Sequence, residues 1–324
     1  MDIKILKLIF VSVILLTNTI IVNAETRGIT MESVTSKPKP KITNGTFRAL
    51  IIGNNNYNDD QEKWPTLTTA IKDARAIEKI LRMDYGFSDI KLLEDATRRD
   101  ILIELDALSK RVASDDNVLI YYAGHGYIDA STKKGYWVPV DADGADKTTF
   151  LRNSTIQDEV AVLASRAKHT LLISDSCFSG TLLRRGIRDV RPNLNNDNYY
   201  KNVINKRSVQ IISAGGVEYV DDNYNSSGHS PFSYFLLNEL KNNNQPLLAV
   251  SELSSTVIRA VANNVDQVPE SGILQGAGDE LGEFIFIKVN LTVSGVAKDK
   301  IKVEVNVVSD EDKINYKNLP LPTL

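Results

Sequence analysis

The chain reads as an α/β fold with a mostly parallel sheet covered by helices on both faces. Two patterns predict this. Short, wholly apolar runs such as residues 47–53 and 118–123 have the character of strands buried on both sides. Between such runs lie segments whose apolar residues recur at helical spacing, as at Ile71, Ala74, Ile77, Ile80 and Leu81. Strands interleaved with helices build a sheet with helices on each face. Composition agrees: of 324 residues, 42% are hydrophobic and 24% charged, a globular balance with enough chain for a sizeable core.

The elements follow in order. Residues 47–53 (FRALIIG) form a first strand that runs into a Gly-Asn-Asn-Asn loop. Residues 69–83 form a helix and 90–93 a second strand. Thr97 and Asp100 make a capping box with Asp in the Glu place; it opens a helix with Ile101, Leu105, Leu108 and Val112 on one face. Residues 118–123 form a third strand, and 136–139 (YWVP) a short edge strand. A helix over 155–165 precedes a fourth long strand at 170–174, and 209–213 form a fifth. Ser230 caps a helix that carries proline at its first position, Pro231. A further helix covers 249–263, and 283–288 form a last strand. In the tail, Ile301, Val303, Val305 and Val307 alternate as one half-buried strand does.

The N-terminus has the pattern of an export signal. Lys4 and Lys7 precede an apolar run from Leu8 to Leu16, and Val22-Asn23-Ala24 supplies small residues for cleavage. The run is too short to span a membrane, so a periplasmic or secreted protein with no stable membrane span is expected. Residues 25–45 are polar, with a Lys-Pro-Lys-Pro stretch, and read as a linker. The net charge of −3 gives no field that would draw nucleic acid. One cysteine, Cys177, excludes an internal disulfide, and three histidines beside it disfavour structural zinc. P-loop, HExxH and GxSxG patterns are absent.

In parallel sheets, sites form where loops leave the carboxyl ends of strands. The third strand ends in YYAGHG (121–126) and the fourth in DSCFSG (175–180). This puts His125 and Cys177 on one sheet edge, on strands about 4.8 Å apart if they are neighbours. A nucleophilic thiol needs a nearby base to raise its thiolate fraction. The backbone amides of Gly126 and Cys177 are placed to serve as an oxyanion hole. His169 begins the strand that Cys177 follows and so lies at the wrong end, roughly 26 Å off at strand rise. No strand end places His229.

YYAGHG followed about fifty residues later by DSCFSG resembles the caspase/metacaspase clan of cysteine endopeptidases, over roughly residues 46–288. The likeness extends to RALIIGNNNY, KDARAI, GYWVPVDA, IISAGG, HSPFSYFLLNEL and GEFIFI. The D-S-C-x-S-G context is closer to metacaspases and bacterial caspase-like proteins than to caspases proper. The resemblance implies a caspase-like three-layer fold with a mostly parallel six-stranded sheet. A large-subunit-like part (46–183), a basic loop (184–207) and a small-subunit-like part (208–288) precede a C-terminal β tail (289–324). It also implies a mechanism: Cys177 attacks the scissile carbonyl, His125 protonates the leaving amine and then activates water, and a backbone carbonyl orients the imidazole.

A pocket for arginine or lysine at P1, the residue before the scissile bond, needs carboxylates. Asp175, two residues before Cys177, and Asp73, in the first turn of the first helix, match acidic specificity residues of metacaspases. Ala123 departs from the serine that metacaspases often carry there. The expected function is a monomeric endopeptidase cleaving after Arg or Lys, possible self-cleavage falling in 184–207. That stretch is basic and Asn-rich, lacks apolar periodicity and reads as a mobile loop. The alternative is a catalytically weak caspase-fold scaffold that binds peptides or a partner. No cofactor is expected. Some metacaspases use calcium, which stays open here; Asp141, Asp143 and Asp146 form a small acidic group that is not an EF-hand loop.

Overall fold

A computed structural model describes residues 45–58, 63–177, 179–183, 197–215, 222–274 and 276–289. The export segment, almost all of the 25–45 linker, residues 184–196 of the basic loop and the alternating strand at 301–307 lie outside the described residues.

In chain order the elements are β1 (Phe47–Gly53), α1 (Ala70–Asp84), β2 (Asp89–Glu94), α2 (Arg98–Arg111), β3 (Asn117–Ala123), β4 (Gly126–Ile128), β5 (Gly135–Trp137), β6 (Leu151–Arg152), α3 (Asn153–Arg166), β7 (His169–Asp175), α4 (Asp197–Ile204), β8 (Ser208–Ser213), α5 (Pro231–Asn242), β9 (Leu247–Ala249), α6 (Val250–Asn264), β10 (Glu270–Ile273) and β11 (Ile285–Ile287). The main sheet has six strands in the order β10-β8-β7-β3-β1-β2. Every pairing in it is parallel except that of β10 with β8.

Alternation within the buried strands creates the three layers. Along β3, Leu119, Tyr121 and Ala123 enter one core with α1, α5 and α6. Val118, Ile120 and Tyr122 enter a second core with α2 and α3. Each face of the sheet is thus apolar, which is why these strands read as continuous hydrophobic runs. Helix α2 begins at the expected capping box: the Thr97 hydroxyl accepts from the Asp100 N–H, and the Asp100 carboxylate accepts from the Thr97 N–H. Helix α5 begins at Ser230, whose Oγ accepts from the Ser233 N–H.

Three expectations need correction. The 136–139 segment is not an edge strand of the main sheet. Its first two residues belong to β5, the middle strand of a separate three-stranded sheet between β4 and β6. The apolar 283–288 segment does not close the main sheet either, because β11 pairs with β9 in a two-stranded sheet. The sixth strand of the main sheet is β10, whose ESGI sequence shows neither an apolar run nor alternation. An antiparallel edge strand exposed along part of its length is held by backbone hydrogen bonds to β8 and needs little apolar side chain. Finally, the basic stretch is not loop throughout, since Asp197–Ile204 within it form α4. Tyr199 on this helix donates to buried Glu283 at 3.0 Å, and the Ile204 carbonyl accepts from the imidazole of buried His169.

Candidate active site

The parallel register aligns the carboxyl ends of the central strands. Gly53 lies opposite Ala123, Ala123 opposite Asp175, and Ser174 opposite Ser213. His125 and Cys177 each fall two residues beyond the Ala123–Asp175 pair, on neighbouring strands about 4.8 Å apart. The two loops meet at Gly126, where an added Cβ would lie 2.0 Å from the Cys177 carbonyl oxygen. Only a residue without a side chain permits that approach. Both His125 and Cys177 are half-buried.

The surroundings of His125 fix it from all sides. Its N–H donates to the Tyr57 hydroxyl at 2.8 Å. Its carbonyl accepts from the Tyr122 hydroxyl at 2.9 Å and from the Val138 N–H at 3.0 Å, the second bond extending the β4–β5 ribbon. Tyr57 and Trp64 pack against the imidazole with ring centroids 4.7 and 5.8 Å away. Nε2 lies 2.7 Å from the Pro65 carbonyl oxygen. A carbonyl only accepts, so Nε2 carries the proton in the neutral ring and Nδ1 is left as the basic nitrogen. Burial lowers the His125 pKa, opposed by the Pro65 carbonyl and the Asp222 charge. The ring is thus biased toward its neutral, proton-accepting form.

The same sheet edge brings Asp73 and Asp175 together, 102 residues apart in sequence and both buried. Asp73 Oδ1 accepts from His229 Nδ1 at 2.5 Å, and Oδ2 from the Ser230 N–H at 3.2 Å. Asp175 Oδ2 accepts from the hydroxyls of Ser230 (2.5 Å) and Ser233 (2.6 Å). Its Oδ1 is buried with no hydrogen-bond partner among the described residues. Burial pushes Asp73 up to about 6, against the His229 hydrogen bond and charge. Burial, then repulsion from Asp73, pushes Asp175 up to about 7. This is a desolvated pair of acids that a cation would relieve.

Several residues here escaped sequence reasoning. His229 had no strand end to place it, because it reaches the edge from the loop before α5. Ser230 was legible as an N-cap but not as the bridge between the two acids. Asp222 accepts from the N–H groups of Thr68 and Thr69 at 2.7 and 3.3 Å, tying the loop after β8 to the start of α1. His169 lies at the opposite end of the sheet, as expected, with Nδ1 2.9 Å from Ser208 Oγ. Burial pushes its pKa down to about 4. Asp141 and Asp143 accept from the backbone N–H groups of Arg98 and Ala145, and Asp146 from Thr148. No group of three or more metal-ligating side chains occurs among the described residues. No helix among them is long and apolar enough to cross a membrane.

Residues 46–273 match the caspase domain of the peptidase C14 family, and the chain belongs to that family. Metacaspase-1 from Lodderomyces elongisporus is 29% identical over 160 residues, which cover 43% of this chain. The match spans only 34% of that relative's length. Among solved structures, protein GSU0716 from Geobacter sulfurreducens is 18% identical with a TM-score of 0.48, over 71% of this chain and 93% of the other. The family supports a function of the cysteine-peptidase kind.

Proposed function

We propose that the chain is an exported cysteine endopeptidase that cleaves after Arg or Lys through His125 and Cys177. The observation that carries this reading is the imidazole held at Nε2 by the Pro65 carbonyl, with its loop against the Cys177 backbone. Nδ1 takes the thiol proton, and the thiolate attacks the scissile carbonyl. The amides of Gly126 and Cys177 receive the oxyanion. His125 returns the proton to the leaving amine and then draws one from the water that deacylates the enzyme. A basic P1 side chain enters between Asp73 and Asp175, where Asp175 Oδ1 has no partner among the described residues. An acidic P1 side chain meets like charge in the same place.

The test is amide hydrolysis by the mature chain on matched peptides ending in Arg, Lys or Asp, with Cys177→Ala as control. Cleavage after Arg or Lys that vanishes in Cys177→Ala is expected. Cleavage after Asp overturns the pocket and keeps the enzyme. Silence on all three, with and without calcium, overturns the enzyme and favours a peptide-binding scaffold. Self-processing in 184–207 belongs to the same reading. Purified Cys177→Ala protein is expected to stay whole there, and cutting as complete as in wild type overturns it.

A further inference from the structure

His229 is the one basic side chain within ion-pair distance of Asp73 among the described residues. The fold spends a long-range contact on it: 156 residues separate the two, and they meet only where the loop before α5 crosses the start of α1. Both side chains are largely withdrawn from water, with His229 15% exposed and Asp73 1%. The groups facing them are Asp175 from β7, Tyr121 from β3, Asp222, Ser230 and Ser233 from the later loop and α5, and Thr69 and Lys72 from α1. Two of these groups, Asp175 and Asp222, are carboxyls. An acid buried beside other acids stays useful to a cationic ligand only if donors hold it oriented and ionised.

We propose that His229 is a specificity-determining positioning residue: by donating Nδ1–H to Oδ1, it orients the Asp73 carboxylate that faces the basic P1 side chain. This rests on the endopeptidase reading above and names a determinant of its P1 preference. The donors divide unequally between the two acids. Asp175 has two hydroxyls, which rotate to suit it. Asp73 has the Ser230 N–H, fixed by the start of α5, and the imidazole. Thr69 adds a weaker side-chain hydrogen bond, so the imidazole is the strongest donor to Asp73 that substitution can remove. Both its hydrogen bond and its charge oppose the effect of burial on Asp73. Without the imidazole, Asp73 takes up a proton at higher pH and offers a P1 cation no charge.

The experiment compares wild type, His229→Leu and His229→Asn on Arg, Lys and Asp peptides across pH 5–8. Thermal midpoints and alkylation of Cys177 by iodoacetamide are followed in parallel. Losing a hydrogen bond to a charged group predicts at least a tenfold rise in KM for Arg peptides in His229→Leu. The kcat and the alkylation rate stay within about twofold, and the acid limb of KM moves to higher pH. The side-chain amide of His229→Asn places an N–H where Nδ1 was, so that variant recovers most of the KM. In an Asp73→Asn background, His229→Leu is expected to cost nothing further, because the partner is already gone. A wild-type KM in His229→Leu, a loss confined to kcat, or additive effects in the Asp73→Asn background overturns the role of His229. If His229→Leu does not fold, His229→Asn decides: an Arg KM raised as far as by Asp73→Asn overturns the role. Failure of wild type on Arg and Lys peptides overturns the endopeptidase pocket itself and is read from the same plates.

Discussion

Replacing Gly126 by alanine tests the closest contact at the site. The new Cβ would sit 2.0 Å from the Cys177 carbonyl oxygen, 2.9 Å from its carbonyl carbon and 3.2 Å from its nitrogen. Ordinary contact begins near 3.4 Å, so the two loops must separate by about 1.4 Å. The obstruction is backbone and has no rotamer by which to escape. His125 precedes Gly126 directly, and its position is held by Tyr57, Tyr122, Val138 and Pro65. The displacement therefore falls between imidazole and thiol, or it breaks one of those bonds. A misplacement of about 1 Å at a reacting centre costs on the order of 100-fold in rate, which corresponds to about 2.7 kcal/mol of transition-state stabilisation. The assay is kcat/KM on an Arg or Lys peptide, with the thermal midpoint measured on the same preparation. A fall of about 100-fold in kcat, with KM nearly unchanged and the protein folded, is expected. A Gly126→Ala protein that is as active as wild type refutes the apposition of the two loops as a requirement of catalysis.

Three further outcomes follow from buried ionisable groups and from a helix start. Asp175 is raised from 3.8 to about 7, so the folded chain binds more protons than the unfolded one between those values. Its contribution therefore favours the fold at low pH and is lost as pH rises toward 7; Asp175→Asn should flatten the thermal midpoint over that range, and in wild type KM for Arg peptides should rise as pH falls below about 7. His169 has the opposite sign. Its pKa is lowered from 6.5 to about 4, so the stability it contributes is present above 6.5 and is lost as pH falls through that window. His169→Asn should unfold less steeply with acid in urea melts taken between pH 6.5 and 4, and an unchanged slope contradicts the reading. Thr97→Ala removes the side chain that closes the capping box of α2. It should cost about 1 kcal/mol in chemical denaturation and leave peptide hydrolysis untouched.

The elements that position the site were legible because they are buried on both faces. In β1, β3 and β7 every apolar residue has somewhere to pack, and the resulting runs stand out from any helical period. The start of α2 was legible because its cap is local, closed by residues three apart. Strand β10 was not, because its partner β8 supplies backbone bonds that leave no trace in side-chain pattern. Helix α4 was missed for a related reason: it is held by contacts such as Tyr199 to Glu283, 84 residues away. The 283–288 segment was rightly a strand, yet nothing in an apolar run names its partner, and β9 received it.

The candidate site divides in the same way. By itself the sequence determined which residue types stand at two strand ends: an imidazole between glycines, and a thiol two residues after an aspartate. A parallel sheet sends all its strand ends to one edge, so this much follows from chain order alone. Only the tertiary structure decided the rest. It chose β3 and β7 as neighbours in a register that brings Gly126 onto Cys177. It set the Pro65 carbonyl against Nε2, which selects the nitrogen left as base. It laid His229 and Ser230 across Asp73 and Asp175. Those contacts join segments roughly 50 to 160 residues apart, and no local propensity encodes them. They exist because the two packed cores hold α1, α5 and the loops at one edge of a single sheet.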